Sequence, residues 1–326
     1  MKWNARCLFI GCITILLALE LGISLEAQAK ISTRERKALI ALYNITDGNN
    51  WACNDGWLKA PLHTDGFAMP GSECDWYGIT CNAENTGVEQ INLSGNNLKG
   101  IIPNGLSSLS HLKNLHLADN QLTGSIPLDL TKSSRLKELY LEYNLISGCI
   151  PAEIAKLSNL KYLHMGANLI SGRIPPELGN LANLRMLNLS SNLLDGEIPA
   201  TLGNLGNLAH LYLHDNQLTG NIPAALANLS HLKIINLRDN QLSGNIPSQI
   251  INLTNLSDNL NDFRWNHLAI LMPELRYFFK EKQIGGDLEN YQIFEAPVHI
   301  GRINKKNFKG HAWGKSKTNA GVAEPM

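Results

Sequence analysis

The amino-acid sequence predicts an α/β solenoid, a right-handed superhelix in which short parallel strands stack into one curved sheet and short 3₁₀ or helical segments return the chain. Three features of residues 91–247 predict this fold. Asparagine recurs every 24 residues, at Asn96, Asn120, Asn144, Asn168, Asn192, Asn216 and Asn240. Glycine follows each asparagine by four residues, at Gly100, Gly124, Gly148, Gly172, Gly196, Gly220 and Gly244. Proline follows each glycine by three residues, at Pro103, Pro127, Pro151, Pro175, Pro199, Pro223 and Pro247.

One repeat shows how the period produces a coil. The segment Leu211-Tyr212-Leu213 alternates apolar and polar residues, which is typical of a short strand with one buried face. The return segment then has leucines three residues apart, at Leu226, Leu229 and Leu232. This spacing fits a short 3₁₀ or helical turn. Because each unit buries its leucines only against its neighbours, we expect the repeats to form one elongated body.

The repeated polar and turn residues are predicted to be scaffold. The Asn216 side chain both donates and accepts hydrogen bonds, which suits loop groups that water cannot reach. Removing one such buried partner is expected to cost about 1–3 kcal/mol. Gly220 suits a tight turn at positive φ, and Pro223 holds the chain extended where the return segment begins.

The unit resembles the plant-type leucine-rich repeat, which is marked by the Gly-x-Ile-Pro ending present at residues 220–223. The resemblance implies leucines on the inside and a curved sheet whose outward side chains form a concave face. It also implies recognition, because plant-type repeat proteins generally bind partners on this face and its flanks. In plants such folds serve as receptor ectodomains and as inhibitors of pectin-degrading enzymes, and secreted versions also occur in bacteria.

Residues 1–29 are predicted to be a secretory signal peptide. They combine an early positive charge, an apolar core at residues 8–19 and a small-residue cleavage site ending at Ala29. A membrane anchor or a lipoprotein signal is the alternative, since Cys12 sits in a loose lipid-attachment sequence. That cysteine precedes most of the apolar run and Glu20 interrupts a long span, so cleavage and export are expected.

Residues 30–90 are predicted to cap the exposed end of the solenoid. Thr33 is expected to N-cap a helix from Arg34 to about Asn44. The apolar side of this helix is expected to comprise Leu39, Ile40, Leu42 and Tyr43.

The cap also contains a cysteine motif. Residues 74–81 resemble the Cys-x-Trp-x-Gly-Ile/Val-x-Cys signature of the plant-type N-terminal cap. In an exported protein this resemblance implies a disulfide between Cys74 and Cys81. Metal binding is the alternative, but the spacing fits no zinc pattern. Cys53 and Cys149 are not expected to pair, because one lies in the cap and the other in the third repeat.

The repeats are assigned to residues 91–268, as seven regular 24-residue units and an atypical last one. The last unit is atypical because Asn266 lies 26 residues beyond Asn240, which indicates an insertion of two residues. Phe263 is expected to point inward before it. Terminal repeats commonly depart from the pattern because they must close the core.

Residues 269–300 are assigned to a C-terminal cap and residues 301–326 to a basic tail. A helix at residues 273–282 is expected to cover the last coil with Leu275, Tyr277, Phe278 and Phe279. The tail is predicted to be disordered, and its attraction to anionic lipid or polysaccharide is the alternative.

Composition and motifs argue against several classes of function. The 28 Lys and Arg residues balance the 28 Asp and Glu residues, which argues against a nucleic-acid partner. No stretch after the leader is long and apolar enough to span a membrane. The chain has no Gly-x-Ser-x-Gly elbow, His-Glu-x-x-His motif, phosphate-binding loop or kinase signature. We therefore assign no catalytic residue and no cofactor.

Two residue pairs resemble chemical sites. Glu138 and Glu142 have the carboxylates that glycoside cleavage needs, but they lie on an open sheet that does not exclude water. His210 and His214 are four residues apart on one strand, too far apart to chelate one ion without a ligand from a neighbouring strand. We therefore assign no metal site.

The binding site is predicted to consist of two clusters of outward side chains on the concave face. The first cluster comprises Glu138, Tyr140, Glu142, Tyr143, Tyr162 and His164. The second cluster comprises His210, Tyr212, His214, Asp215, Arg238 and Asp239. Tyrosine combines a large contact area with a polar tip, which favours the recognition of proteins or sugars. A merely solvated, neutral face is the alternative.

The sequence therefore predicts a secreted, non-enzymatic and monomeric module that binds an extracellular or cell-surface protein or glycan by preorganised complementarity. The alternatives are an inhibitor of an extracellular glycan-degrading enzyme, a bacterial effector or adhesin, a structural wall protein and an enzyme; a location on the cell surface or in the periplasm also remains open. Six sequons, which matter only in a eukaryotic secretory route, lie at Asn44, Asn92, Asn188, Asn228, Asn252 and Asn255.

Overall fold

The computed structural model describes residues 30–285. The predicted signal peptide, the basic tail at residues 301–326 and residues 286–300 of the predicted C-terminal cap lie outside the described residues. The repeats form an α/β solenoid of parallel strands and short 3₁₀ turns, as the sequence predicts. Among the described residues, no helix has the length and apolar character needed to cross a membrane.

Within residues 30–285 the main sheet has eight strands, which follow one another in chain order. They are Ile79–Cys81, Val88–Asn92, Asn114–His116, Glu138–Tyr140, Tyr162–His164, Met186–Asn188, His210–Tyr212 and Ile234–Asn236. The first strand is antiparallel to the second and belongs to the cap. The others are parallel and pair residues 24 positions apart, such as Leu163 with Leu187. Equivalent side chains of successive repeats therefore form straight columns across the sheet.

Further short strands and 3₁₀ turns complete each coil. Six strands form a second sheet, comprising Ser147–Gly148, Leu169–Arg173, Leu193–Glu197, Gln217–Gly220, Gln241–Asn245 and His267–Ala269. Lys99–Ile101 and Gln121–Thr123 form a separate pair. The return turns are Leu106–Ser108, Leu128–Lys132, Ala152–Lys156, Pro176–Asn180, Ala200–Asn204, Ala224–Asn228 and Ser248–Asn252. Two more 3₁₀ turns, Gly48–Asn50 and Glu73–Asp75, lie in the cap.

The inward side of each coil is apolar and buried. In one unit the inward residues are at most 2% exposed, namely Leu202, Leu205, Leu208, Leu211, Leu213, Leu218 and Ile222. Burying each such side chain stabilises the fold by about 1.5–3 kcal/mol. At the turn Gly220 has φ 75°, which only glycine adopts without strain. The 3₁₀ turn then begins directly after Pro223, as predicted.

The repeated asparagines link adjacent coils, which confirms their predicted scaffold role. The Asn216 amide donates to the Leu189 and Leu213 carbonyls at 3.0 and 3.1 Å, and its oxygen accepts from the Leu194 N–H at 3.0 Å. The same pattern holds at Asn144, Asn168, Asn192 and Asn240. Each amide thus satisfies buried backbone groups of two coils.

The cap helix α1 spans Thr33–Ile45, and its N-cap is Ser32. The predicted N-cap, Thr33, is instead the first helical residue. Ser32 is the N-cap because Glu35 lies three residues later and completes a capping box. In this capping box each of the two side chains accepts a hydrogen bond from the backbone N–H of the other residue. The helix buries Leu39, Leu42 and Tyr43 as expected, while Ile40 is only partly buried.

An aromatic core packs against α1 in the segment that precedes the repeats. Tyr43 packs against Trp51, Trp57 and Phe67 with ring centroids 5.0, 5.4 and 5.2 Å away. Such pairs add about 0.5–1.5 kcal/mol each beyond the area they bury. These rings belong to the same buried apolar cluster as the leucines of the repeats.

The predicted disulfide between Cys74 and Cys81 is present. Cys53 is buried in the cap and its thiol lies 3.6 Å from an Asp55 carboxylate oxygen, whereas Cys149 is exposed in the third repeat.

The C-terminal helix α2 spans Pro273–Lys282, the predicted bounds. Leu275 and Phe279 are each 1% exposed and cover the last coil, and Phe278 packs at its margin. The prediction for Tyr277 was wrong, because this side chain is 75% exposed. Residues four apart share one helix face, which places Leu275 and Phe279 together and turns Tyr277 outward. Phe263 is fully buried against Phe279, as predicted, with ring centroids 4.9 Å apart.

Candidate functional site

The predicted site residues lie on the outward side of the eight-stranded sheet or at the ends of its strands. Eleven of the twelve are partly buried and Asp215 is exposed. The sheet register sets Tyr140 beside His164, then Asn188, then Tyr212 in one column. The strand Met186–Asn188 separates the two clusters. Because neighbouring strands are about 4.8 Å apart, the clusters lie within reach of a single extended segment.

The rings of the first cluster are packed on one another. Tyr140 stacks on His116 with ring centroids 4.4 Å apart and contacts His164 edge-to-face at 4.5 Å. His116 Nε2 also lies 2.8 Å from a Glu138 carboxylate oxygen. His116 was absent from the predicted site. His116 lies 24 residues before Tyr140, and this equivalent position in the repeat is the sequence feature that could have identified it as a site residue.

The carboxylates of the first cluster lie in a partly desolvated setting. Burial raises the pKa of Glu142 to about 7, because a charged carboxylate loses hydration there. Glu142 Oε2 is buried and accepts no hydrogen bond from residues 30–285. Burial, followed by the charges of Glu138 and Glu142, raises the pKa of Tyr140 to about 12. The tyrosine is therefore a neutral hydroxyl at physiological pH.

The buried histidines of both clusters are neutral near pH 7. Burial lowers the pKa of His164 to about 4, and the neighbouring His116 and His210 lower it further. Burial also lowers the pKa of His214 to about 4, with Arg238 the next contributor. His164 Nε2 and His214 Nδ1 are buried without a hydrogen-bond partner among the described residues.

The second cluster has a more open aromatic arrangement. The Tyr212 ring lies 6.4 Å from that of His210 and 6.2 Å from that of His214. Asp215 accepts from the Ser191 hydroxyl at 3.2 Å. Burial, followed by a hydrogen bond with Asp215, raises the pKa of Asp239.

The second cluster also extends beyond its predicted residues. Arg238 pairs with Asp239 at 2.8 Å and lies over the Trp265 ring, 4.0 Å from its centroid. Arg264 approaches the same ring at 4.8 Å and pairs with Asp262 at 2.7 Å. Counting back from Asn266 gives this equivalence, with Arg264 at the Arg238 position and Trp265 at the Asp239 position. A fixed 24-residue count misses this equivalence because the last unit contains a two-residue insertion.

The strand-end residues share an unusual backbone conformation. Tyr143, Asp215 and Asp239 have φ of 57, 55 and 52°. Positive φ is uncommon outside glycine and is a clear outlier for a bulky residue such as tyrosine. This backbone fixes the directions of these side chains at the edge of the concave face. Among residues 30–285 no three or more His, Cys, Asp or Glu side chains are grouped to hold a metal ion.

The sequence comparison decides the family. The model of the Leucine Rich Repeat matches seven segments, residues 87–109, 111–133, 135–157, 159–181, 183–205, 207–229 and 231–253. The chain belongs to the leucine-rich repeat family. No curated protein matches it.

Solved plant structures show the same leucine-rich repeat fold. The ectodomain of the receptor kinase GASSHO1/SCHENGEN3 from Arabidopsis thaliana, in complex with CASPARIAN STRIP INTEGRITY FACTOR 2, is 34% identical with a TM-score of 0.67. That match covers 75% of this chain and 28% of the ectodomain. The Arabidopsis HAESA ectodomain, in complex with an extended IDA peptide hormone, is 36% identical with a TM-score of 0.57, over 60% of this chain and 33% of that one. This chain therefore spans only a minor part of either ectodomain.

A plant ice-binding protein also shares the fold. It is 24% identical with a TM-score of 0.56, and the match covers 78% of this chain and 94% of that one. At this identity the likeness concerns the leucine-rich repeat fold alone.

Proposed function

We propose that this leucine-rich repeat protein is an exported, non-catalytic recognition module that binds an extended segment of an extracellular or cell-surface protein along its concave face. One observation carries the proposal. The rings of His116, Tyr140 and His164 lie in one column on three successive strands, and Tyr212 continues that column beyond Asn188.

The packing of these rings supports tight recognition. Tyr140 is held between His116 and His164 before any partner arrives. A side chain that is already ordered loses little rotamer freedom on binding, which otherwise costs about 0.5–1.5 kcal/mol per side chain. Tyrosine is also among the residues that most often dominate binding energy.

The dimensions of the face favour an extended segment. From the strand of Glu138–Tyr140 to that of Ile234–Asn236 the chain crosses four strand spacings, or about 19 Å. An extended peptide covers this distance with about six residues. The receptor ectodomain of GASSHO1 was solved with CASPARIAN STRIP INTEGRITY FACTOR 2 and that of HAESA with a peptide hormone, and the peptide ligand of HAESA supports a protein segment as the partner here.

The chemistry of the face supports binding rather than catalysis. Its carboxylates and histidines lie on an open sheet, and a catalytic site generally excludes water from the reacting atoms. A glycan partner or the inhibition of a glycan-degrading enzyme would use the same face, so the experiment below includes both outcomes.

The proposal is tested with the purified protein immobilised and exposed to extracellular fluid of the source organism. The captured partner is then purified and its Kd measured for the wild type, for Tyr140→Ala/Tyr212→Ala and for Tyr277→Ala. Tyr277 is the matched control, because it is 75% exposed and lies on α2.

We expect the double variant to weaken binding by about a hundredfold or more and the Tyr277 variant to leave it unchanged. Equal binding by all three proteins would place the site elsewhere. A captured polysaccharide, or reducing sugar released from one by the purified protein, would favour the glycan or enzyme alternative.

A further inference from the structure

We infer that the first cluster receives a lysine or arginine side chain of the bound protein segment. This inference rests on the proposed function, since it names the chemistry of one position in that segment. Three features of the first cluster carry it, and the second cluster supplies the contrast.

The first feature is the placement of the charges. Glu138 and Tyr140 lie on one strand and Glu142 follows two residues after Tyr140, so all three project to the same side of the sheet. The charges that raise the pKa of Tyr143 after burial are Glu142 and Asp119. Ionised Glu142 and Asp119 therefore place negative charge beside these tyrosines, and a cation, which favours the ionised form of Glu142, is the complementary ligand.

The second feature is an unused acceptor. Glu142 Oε2 is buried and has no hydrogen-bond partner within the described part of the chain. A buried carboxylate oxygen without a donor is costly, because its lost hydration is not replaced. An ammonium or guanidinium group supplies both the missing donor and the compensating charge.

The third feature is the presence of tyrosine rings beside the carboxylates of the first cluster. Tyr140 lies between the two carboxylates, and Tyr162 lies beside Glu138 on the next strand. Aromatic rings attract cations through their electron-rich faces, and they also pack on the apolar stem of a lysine or arginine. A cluster of carboxylates alone would prefer a hydrated ion; tyrosines beside them favour a long basic side chain.

The second cluster differs because it contains a cation that is already paired with a carboxylate, Arg238 with Asp239 at 2.8 Å. Arg238 lowers the pKa of His214 and Lys233 lowers that of His210, in each case after burial. A basic residue of the ligand is therefore favoured at the first cluster over the second, where an arginine is already paired with a carboxylate. This asymmetry gives the bound segment a defined orientation along the sheet.

A phage library of linear dodecapeptides tests the inference. The library is selected in parallel on the wild type, Tyr140→Ala, Glu138→Gln/Glu142→Gln and Glu177→Gln. Glu177 is the matched control, because it is an exposed glutamate on a return turn, away from the sheet. Thermal unfolding of each variant confirms that it is folded before selection.

We expect peptides selected on the wild type and on Glu177→Gln to share a lysine or arginine at one position. We expect this preference to disappear on Glu138→Gln/Glu142→Gln. One selected peptide is then synthesised in two forms, with its basic residue or with norleucine at that position. Replacing the basic residue by norleucine should raise the Kd for the wild type by about tenfold or more and leave the Kd for the double glutamine variant almost unchanged.

The outcomes separate the inference from the proposed function. Peptides that require Tyr140 but show no basic preference would overturn the inference alone. A failure to select peptides, or selection indifferent to Tyr140→Ala, would count against both the concave face as a peptide site and the inference.

Discussion

The ring of Tyr140 stacks on that of His116, 24 residues earlier in the chain, with centroids 4.4 Å apart and planes inclined by 26°. The two residues occupy the same position of adjacent repeats and are register partners in the sheet. A solenoid thus converts a sequence period into a column of touching side chains. The concave face is a set of such columns, and its chemistry is determined by residues that the scaffold leaves free to vary.

The asparagine columns should contribute strongly to stability. Asn168 is buried and donates to the Leu141 carbonyl at 2.9 Å, while its oxygen accepts from the Ile146 N–H at 2.9 Å. Asn168→Ala leaves these buried groups without partners, so we expect a loss of about 3 kcal/mol in the free energy of unfolding by urea. The exposed Asn183, which donates to the Ser158 carbonyl, is the control, and Asn183→Ala should cost under about 1 kcal/mol. Equal losses would contradict the scaffold role.

The junction between the cap and the first repeat should not tolerate a side chain at Gly100. This residue has φ 117°, and an added Cβ would lie 2.1 Å from the Ile45 carbonyl oxygen. Gly100→Ala combines backbone strain with a clash and is expected to cost about 3 kcal/mol. Gly206 is exposed with open space around its Cβ position, so Gly206→Ala should change stability by about 0.5 kcal/mol or less. Chemical unfolding of both variants measures the two losses in the free energy of unfolding. A loss at Gly100 as small as that at Gly206 would mean that Gly100 does not lie against Ile45 in this way.

The buried histidines should make stability depend on pH in mildly acidic solution. His164 has a folded-state pKa of about 4, below the unfolded value of about 6.5. The unfolded chain therefore binds more protons between these values, and stability falls as pH falls from about 6.5 to about 4. Glu142, whose pKa is raised to about 7, acts in the opposite direction, since the folded state holds its proton as pH rises from about 4.5 to 7.

Urea unfolding of the wild type and His164→Gln between pH 4.5 and 6.5 isolates the histidine. We expect the slope of unfolding free energy against pH to be smaller in the variant by up to about 1.4 kcal/mol per pH unit. Because all other groups are common to both proteins, an unchanged slope would show that His164 titrates normally in the folded state.

The sequence predicted the repeat fold well because one physical rule applies to every unit. The inward leucines, the asparagine columns and the turn at Gly220 each follow from local chemistry repeated in register. The two terminal segments were harder to predict from the sequence, because neither follows the pattern that the repeats share. Ser32 replaced Thr33 as the N-cap through its reciprocal bonds with Glu35, and Tyr277 faced solvent rather than the core.

The candidate site could be predicted only in part. The outward positions follow from alternation along each strand, so the twelve predicted residues fell on one surface. The contacts between side chains of neighbouring strands do not follow from this alternation. His116 was therefore missed, although it stacks on Tyr140. Trp265 was missed because the two-residue insertion displaced it from the 24-residue count, and its cation–π contact with Arg238 depends on three-dimensional packing.

The most direct test of the concave face as the binding surface is site-specific photo-crosslinking to the captured partner. A benzophenone-bearing residue replaces Met186, which lies on the strand between the two clusters, or Tyr277 on α2. The proposal predicts a covalent adduct from position 186 and none from position 277. An adduct from position 277 with none from position 186 would contradict it.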